Sequence, residues 1–462
     1  MNDQMRNAIA LKARYVFPAV GRPIADAAVT ILGERIVAVG GVPADAEVRD
    51  LGNVAILPGL VNAHTHLEFS HLAEPLGREG GERGRGGERE TAGSTRTLDS
   101  RGLPVCPSPH LPISFTAWLR SVTASRRSQP ADSARAVEAG LRECLRLGTT
   151  TLGEIAQPSW SPEPFRKARL DATVFLELIG PTPERAETAI RAAEEHAQGV
   201  NPLSTPAGLF PPEGGTTNVH LGLSPHAPYS VRPELLAAAV ELSCKRRLPL
   251  AFHLAESREE LELIGRGTGP LRDFLAEMAA WQPDAVRPGA RPLDYLRVLA
   301  AADRVLVIHG NYLDDEEIAF LAEHRDRMAV VYCPRTHAWF GHDPYPLERM
   351  LEGGVTVGLG TDSLASSPDL SVLSEMRFVA RHYPRLPGEV VFQLGTIRAA
   401  AALGRDREVG SLEPGKRADL AVVALDDRAT TDPCDLLFNS QQPVVATWVG
   451  GRVAWASERC RQ

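Results

Sequence analysis

Histidines and one aspartate stand at the ends of apolar runs in this chain, where strands would present them together. In "GLVNAHTHLEFSHL", residues 59–72, His64, His66 and Glu68 occupy alternate positions just after the apolar run Val54 to Leu57. Successive side chains of a strand point to opposite faces, so His64 and His66 share a face, roughly 6–7 Å apart along it. Their nitrogens could converge on one metal ion; taken alone, the pair fits equally well two hydrogen-bonded polar residues at a strand end. Three more donors have the same placement: His253 ends "LAFH", His309 ends "VLVIH", and Asp362 closes "VTVGLGTD". Burying unpaired polar groups is costly, so five such donors at one rim are hard to explain as packing.

The elements that would gather them are legible as a rhythm. The β-like runs "GLVNAHTH", "TTTLGEI", "ATVFLELIG", "NVHLGLSPH", "PLAFHLAE", "RVLVIHGNY", "MAVVYCP" and "VTVGLGTD" alternate with helical patterns such as "PELLAAAVELSCKRR" and "DEEIAFLAEHR". That alternation predicts an α/β fold with a parallel sheet. Eight such strands close a TIM-like (β/α)8 barrel, whose strand tips surround a single active-site mouth. At the two ends, "AAVTILG", "RIVAVGG" and "VAILPG" are matched by "ADLAVVAL", "PVVATWVGG" and "RVAWA". These predict a small composite β-sandwich domain from both termini, residues 1–58 plus 406–462, beside a catalytic barrel over 59–405. Residues 77–96, rich in Gly, Arg and Glu, predict a flexible insert with little to bury; interleaved glutamates and the lack of aromatics argue against RNA binding there. Residues 201–215, punctuated by Pro and Gly, predict a second loop.

Composition narrows the class. The chain has 462 residues, 43% of them hydrophobic, enough for one large core and a smaller one. A formal charge of −8 argues against a nucleic-acid partner, which would need clustered Lys and Arg. Arg6, Lys12 and Arg14 interrupt any secretory apolar core, and no run approaches a membrane span. The six cysteines contain no CxxC pair, which fits a reducing cytoplasm. Neither GxSxG, HExxH nor PCxxC occurs.

The segments "HTH", "HLAE", "IHG" and "GTDS", in that order, with "GSLEPGKRADLAV" near the end, resemble the amidohydrolase superfamily in its cytosine-deaminase-like and chlorohydrolase-like branch. The resemblance covers nearly the whole chain. It implies His64, His66, His253 and Asp362 as ligands of one divalent metal, and His309 beside the attacking water. Three imidazoles and a carboxylate suit Zn²⁺, though Fe²⁺ accepts the same set. Binuclear relatives use a lysine on a middle strand; the only lysines here are Lys12, Lys167, Lys245 and Lys416, none ending a predicted strand, so one metal is expected. Such an ion lowers the pKa of its water from about 15.7 toward ~7, for attack on an sp² carbon bearing an amino group. His309 and Asp362 would hold and deprotonate that water. Glu256 in "HLAES" is the expected proton shuttle, its other reading being a helix N-terminal acid.

For the substrate, Glu68 is read as an acceptor for hydroxyls or ring N–H, or as a residue orienting a ligand histidine from behind. His226 in "LSPHAPYSV" resembles the histidine that purine-nucleoside deaminases of this branch apply to the substrate ring. Where many relatives carry a CPxSN-like sequence, "YCPRTH" places Arg335 and His337 at the rim. Arg335 could clamp a substrate carboxylate or form a structural salt bridge. The pattern resembles, within the branch, aminodeoxyfutalosine deaminases of menaquinone biosynthesis, which act on a 6-aminopurine nucleoside joined to a benzoate. The expected activity is therefore deamination of 6-amino-6-deoxyfutalosine or an adenosine-like nucleoside. Guanine, cytosine, S-adenosylhomocysteine or chloro-triazine substrates are alternatives, and a catalytically inactive scaffold is the reading from another class. A homodimer is the common habit of such folds.

Overall fold

A computed structural model describes residues 7–77, 113–128, 133–198, 219–286, 288–430 and 432–458. The insert from residue 78 onward and the loop over 201–215 lie outside them. Strands β1 (Ile9–Val16), β2 (Ile24–Leu32), β3 (Arg35–Gly40), β4 (Glu47–Asp50) and β5 (Val54–Pro58) precede the barrel. The barrel strands are β6 (Leu60–Thr65), β7 (Thr149–Ala156), β8 (Asp171–Leu178), β9 (Val219–Pro225), β10 (Pro249–Leu254), β11 (Arg304–His309), β12 (Met328–Tyr332) and β13 (Thr356–Leu359). Strands β14 (Leu420–Ala424), β15 (Val444–Val449) and β16 (Arg452–Ala456) follow.

β6 to β13 pair in sequence order, all parallel. Strands such as β7, β8 and β12 are buried along their whole length, the consequence of having helices on one side and the barrel interior on the other. The ring closes between β6 and the segment after β13. Thr361 and Asp362 both donate their backbone N–H to the His64 carbonyl at 3.1 Å, and Asn62 exchanges two side-chain bonds with Thr361 at 2.8 and 3.1 Å. Gly360 permits this approach, since a Cβ there would lie 2.9 Å from the His64 Cβ.

Strands from both ends of the chain join in one mixed sheet, in the order β16-β15-β14-β5-β1-β2-β3, with β4 also paired to β1. Its alternation divides two faces: Leu11, Val29, Ile56, Leu420, Val422 and Trp448 pack together in the sheet's own core, while Ala55, Leu57, Ala421 and Val423 join the large cluster shared with the barrel's outer face. The expected sandwich is thus realised as one continuous sheet docked on the barrel. β1, central to it, lies in a stretch where the sequence shows Ala, Lys and Arg in place of good strand formers. None of the described helices is long and apolar enough to cross a membrane.

Candidate active site

Alternation along the strands selects which residues enter the barrel. Ala251 and Ile308 lie in the interior cluster, so His253, two positions after Ala251, faces the same way. His309 would by alternation point outward into the helix layer. Its backbone instead takes φ 68°, and the ring turns in to line the cavity. Asp362 (φ 56°) and Ala255 (φ 54°) also occupy the left-handed region, which costs a non-glycine residue of order 1–3 kcal/mol and concentrates at functional sites.

The donors converge. Nitrogens of His64 and His66 and a carboxylate oxygen of Asp362 all lie within 4.8 Å of one another, as do nitrogens of His64, His253 and His309. The His64 and His66 Nε2 atoms stand 3.7 and 3.8 Å from Asp362 Oδ1, and Asp362 Oδ2 accepts from Ser366 at 2.8 Å. Both ring nitrogens of His64 and Nδ1 of His66 are buried without a hydrogen-bond partner among the described residues, a costly state unless a ligand engages them. His253 donates Nδ1–H to the His226 carbonyl at 2.9 Å, which fixes the tautomer and leaves the Nε2 lone pair free to ligate. Burial, then the neighbouring histidines, holds His64 and His253 well below the usual imidazole range, in the neutral form that binds metal. The set fits one divalent cation.

Glu256 stands beside this cluster, its Oε1 3.3 Å from His309 Nε2. Burial first, then Asp362 and Glu260, pushes its carboxyl well above the usual range, the direction that favours the acid form. Its backbone is clamped: Glu260 accepts from the Ala255 and Glu256 N–H groups at 2.9 Å each, and Asn311 donates to the Glu256 carbonyl at 2.8 Å. Glu154 accepts the Leu67 N–H at 3.0 Å and so fixes the turn after His66.

A cavity of about 410 Å³ opens from these groups, lined by His66, Glu256, His309 and Asp362 at its floor and by Arg126, Glu177, His226 and Ser230 on one wall. The helix Phe115–Ser128 roofs it with Trp118, Leu119 and Val122, and Phe274, Leu275 and Met278 complete an apolar side. Trp118 pins that helix by donating to the Ala365 carbonyl at 2.9 Å.

Two expected substrate contacts are placed elsewhere. Arg335 does not line the cavity; its Nε bonds Glu375 at 2.6 Å and one terminal nitrogen bonds Asp369 at 2.7 Å, so of the two readings open for it the structure shows the ion pair and not the carboxylate clamp. His337 donates Nε2–H to the Asp343 carbonyl at 2.9 Å and also stays off the cavity wall. The Glu68 carboxylate is reached by Arg126 at 2.6 Å and Gln157 at 3.2 Å; it orients Arg126, and among the described residues no bond joins it to His64, His66 or His253. Arg126 bridges it to Glu177, 3.1 Å away. Burial works against the Glu177 anion, but Arg126, His226, His66 and Gln157 together hold its carboxyl down at about 2. Glu177, Arg126, Glu154 and Glu260 are absent from the residues picked out by sequence. A signal existed for Glu177, an acid inside the apolar run "VFLELIG"; Arg126 had none.

The Amidohydrolase family model matches residues 55–454. The aminodeoxyfutalosine deaminase of Deinococcus radiodurans is 28% identical over 424 residues, 87% of this chain and 86% of that protein. The 5-methylthioadenosine/S-adenosylhomocysteine deaminase of Moorella thermoacetica is 28% identical over 93% of this chain and 89% of its own length. Among solved structures, Helicobacter pylori aminofutalosine deaminase in complex with methylthio-coformycin superposes with a TM-score of 0.75 at 22% identity, covering 97% of this chain and 99% of that one. With a match across most of its length, this chain belongs to the amidohydrolase family.

Proposed function

We propose that the chain hydrolytically deaminates a 6-aminopurine nucleoside, using one divalent cation, zinc in the first place with Fe²⁺ accepted by the same donors, held by His64, His66, His253 and Asp362. The observation that carries this is the meeting of those four donors with the Glu256–His309 pair, 3.3 Å apart, at the floor of one nucleoside-sized cavity. When bound, the cation supplies Lewis-acid activation of water near neutral pH. The chain's own residues handle the protons. Asp362, its Oδ2 fixed by Ser366, accepts one from the attacking water, and His309 orients that water from the opposite side. Glu256, whose burial favours the acid form, donates to the ring nitrogen beside the amino-bearing carbon and relays the second proton of water to the departing amine. The proton held by Asp362 then restores Glu256, so one proton of water replaces the one given to the ring nitrogen and the other leaves in ammonia. His226, with Ser230 Oγ 2.6 Å from Nδ1, presents Nε2 to the far edge of the ring.

The relatives' names point to three nucleoside substrates, and 6-amino-6-deoxyfutalosine is the first we assign. The apolar side formed by Leu119, Phe274 and Met278 suits an aryl or thioether extension, and Arg127 and Arg185 at the same cavity would meet a distal carboxylate in place of Arg335. A substrate of intermediary metabolism and cysteines without a CxxC pair fit a cytoplasmic enzyme. The test is an ammonia-release assay on metal-analysed protein with adenosine, 5′-methylthioadenosine, S-adenosylhomocysteine, the benzoate-bearing nucleoside, guanine and cytosine, and a chloride assay with a chloro-triazine. Turnover confined to guanine, cytosine or the triazine would overturn the nucleoside reading.

A further inference from the structure

Glu177 is a cavity-lining carboxylate that the deamination chemistry does not use. It sits near the end of β8, two residues after the interior Phe175, with its side chain only 1% exposed. Around the ring, β8 is opposite β12, so Glu177 stands across the mouth from His309 on β11 and Asp362 after β13. Its two oxygens are unequally engaged. Oε2 takes Gln157 at 2.5 Å and Arg126 at 3.1 Å. Oε1 has one long contact, 3.4 Å from Arg126, with His226 Nε2 at 4.0 Å. A carboxylate offers about four acceptor positions, so Oε1 keeps room for a donor arriving from the cavity.

The chemistry of the substrate says which donor that is. This step rests on the nucleoside reading above. With the amino-bearing carbon at Glu256 and Asp362, the remaining ring nitrogens of an adenine nucleoside are acceptors and cannot pair with a carboxylate. The only donors left on the molecule are sugar hydroxyls. We propose that Glu177 is the hydroxyl-reading residue of this site, its Oε1 accepting from the substrate's ribose diol beside His226, so that the cavity selects ribonucleosides over their dideoxy analogues. The role that the sequence suggested for Glu68 thereby falls to a residue two strands away, with Glu68 and Gln157 holding Arg126 and Glu177 in place.

Equilibrium binding of inosine and 2′,3′-dideoxyinosine tests this without turnover, because neither carries a 6-amino group. The wild-type protein should bind inosine roughly ten- to hundredfold more tightly, the range for hydrogen bonds to a charged group, and Glu177→Gln should bring the two within about threefold. Arg126 remains neutralised by Glu68 in that variant. If Glu177→Gln does not fold, Glu177→Asp, which keeps the charge but retracts the carboxylate, must show the same loss of preference. Equal wild-type affinities, or a preference that survives in the folded variant, overturn the assignment of Glu177 alone. If wild type binds neither compound, the nucleoside reading falls with it.

Discussion

Arg335→Met separates a structural from a substrate role, and its size follows from the surroundings of the guanidinium. Glu375 is fully buried and accepts from the Arg335 Nε at 2.6 Å and from its backbone N–H at 3.0 Å; burial, set against Arg335, already pushes that carboxyl up to about 7. Asp369 is more open, with 36% of its side chain exposed, and an ion pair to so exposed a group contributes about 0–1 kcal/mol. Removing the guanidinium strands a buried charge, a change that costs about 3–5 kcal/mol. Part of this is relieved if Glu375 takes up a proton, so the loss should be largest above pH 7. Replacing both partners in Arg335→Met/Glu375→Leu should recover most of it, since well-packed apolar pairs often match buried ion pairs. Urea unfolding followed by tryptophan fluorescence, on wild type and on the single and double variants, gives the cycle. In parallel, kcat/KM for a carboxylated nucleoside and for adenosine should fall by the same factor, if at all. A single variant within 1 kcal/mol of wild type, or a KM rise confined to the carboxylated substrate, would refute the ion-pair account and return Arg335 to the cavity.

Glu256→Gln should keep its metal and slow turnover by about 10²–10⁴-fold, because Glu260 and Asn311 hold the backbone and only the proton is lost; near-normal kcat would move the shuttle to His309. His253→Ala and Asp362→Ala should each lower bound metal and activity together, and full occupancy in either variant by elemental analysis would remove that residue from the ligand set. Stability should depend on pH through Glu260 and Glu375, both pushed up from the ordinary carboxyl range to about 7 chiefly by burial. The folded state then binds these protons more tightly, so their contribution is complete below about 4.5 and is lost as pH rises through about 7. Buried neutral imidazoles such as His64 and His253 act with the opposite sign, so the test is a difference: between pH 5 and 7 the urea midpoint of metal-free Glu260→Gln should fall less, or rise more, than that of wild type, and parallel profiles would contradict this.

What could be read in the sequence was whatever is local. His64, His66, His253 and His309 end short apolar runs, and a run that ends in a donor carries both its strand and its rim position within a few residues. Arg335 illustrates the limit. "YCPRTH" correctly places an arginine after β12 but says nothing of Glu375, forty residues on, which claims it. His309 looks from sequence like one more strand-end donor, yet it enters the barrel only through a left-handed backbone that alternation cannot supply. Arg126 reaches the site from the helix Phe115–Ser128, outside the strand rhythm, so no spacing argument could have found it. β1 was hidden for a chemical reason: Lys12 and Arg14 occupy alternate positions whose partners lie in Asp26, 2.9 Å from Lys12, and Asn53, 2.9 Å from Arg14.

Closure of the barrel and assembly of the site are one event. The carbonyl that accepts the two closing bonds belongs to His64, and one of the two donors is Asp362, so the ring cannot open there without separating candidate ligands on its two sides. The same rim holds costs that packing does not offset: left-handed φ at His309 and Asp362, and imidazole nitrogens buried without partners among the described residues. A cation gathered by His64, His66, His253 and Asp362 would meet those nitrogens and bind only the closed ring. Anything that binds the folded state alone stabilises it by mass action. The fold therefore carries its strain where the ligand's binding free energy can offset it, which is why these residues tolerate conformations that an apolar barrel rim would exclude.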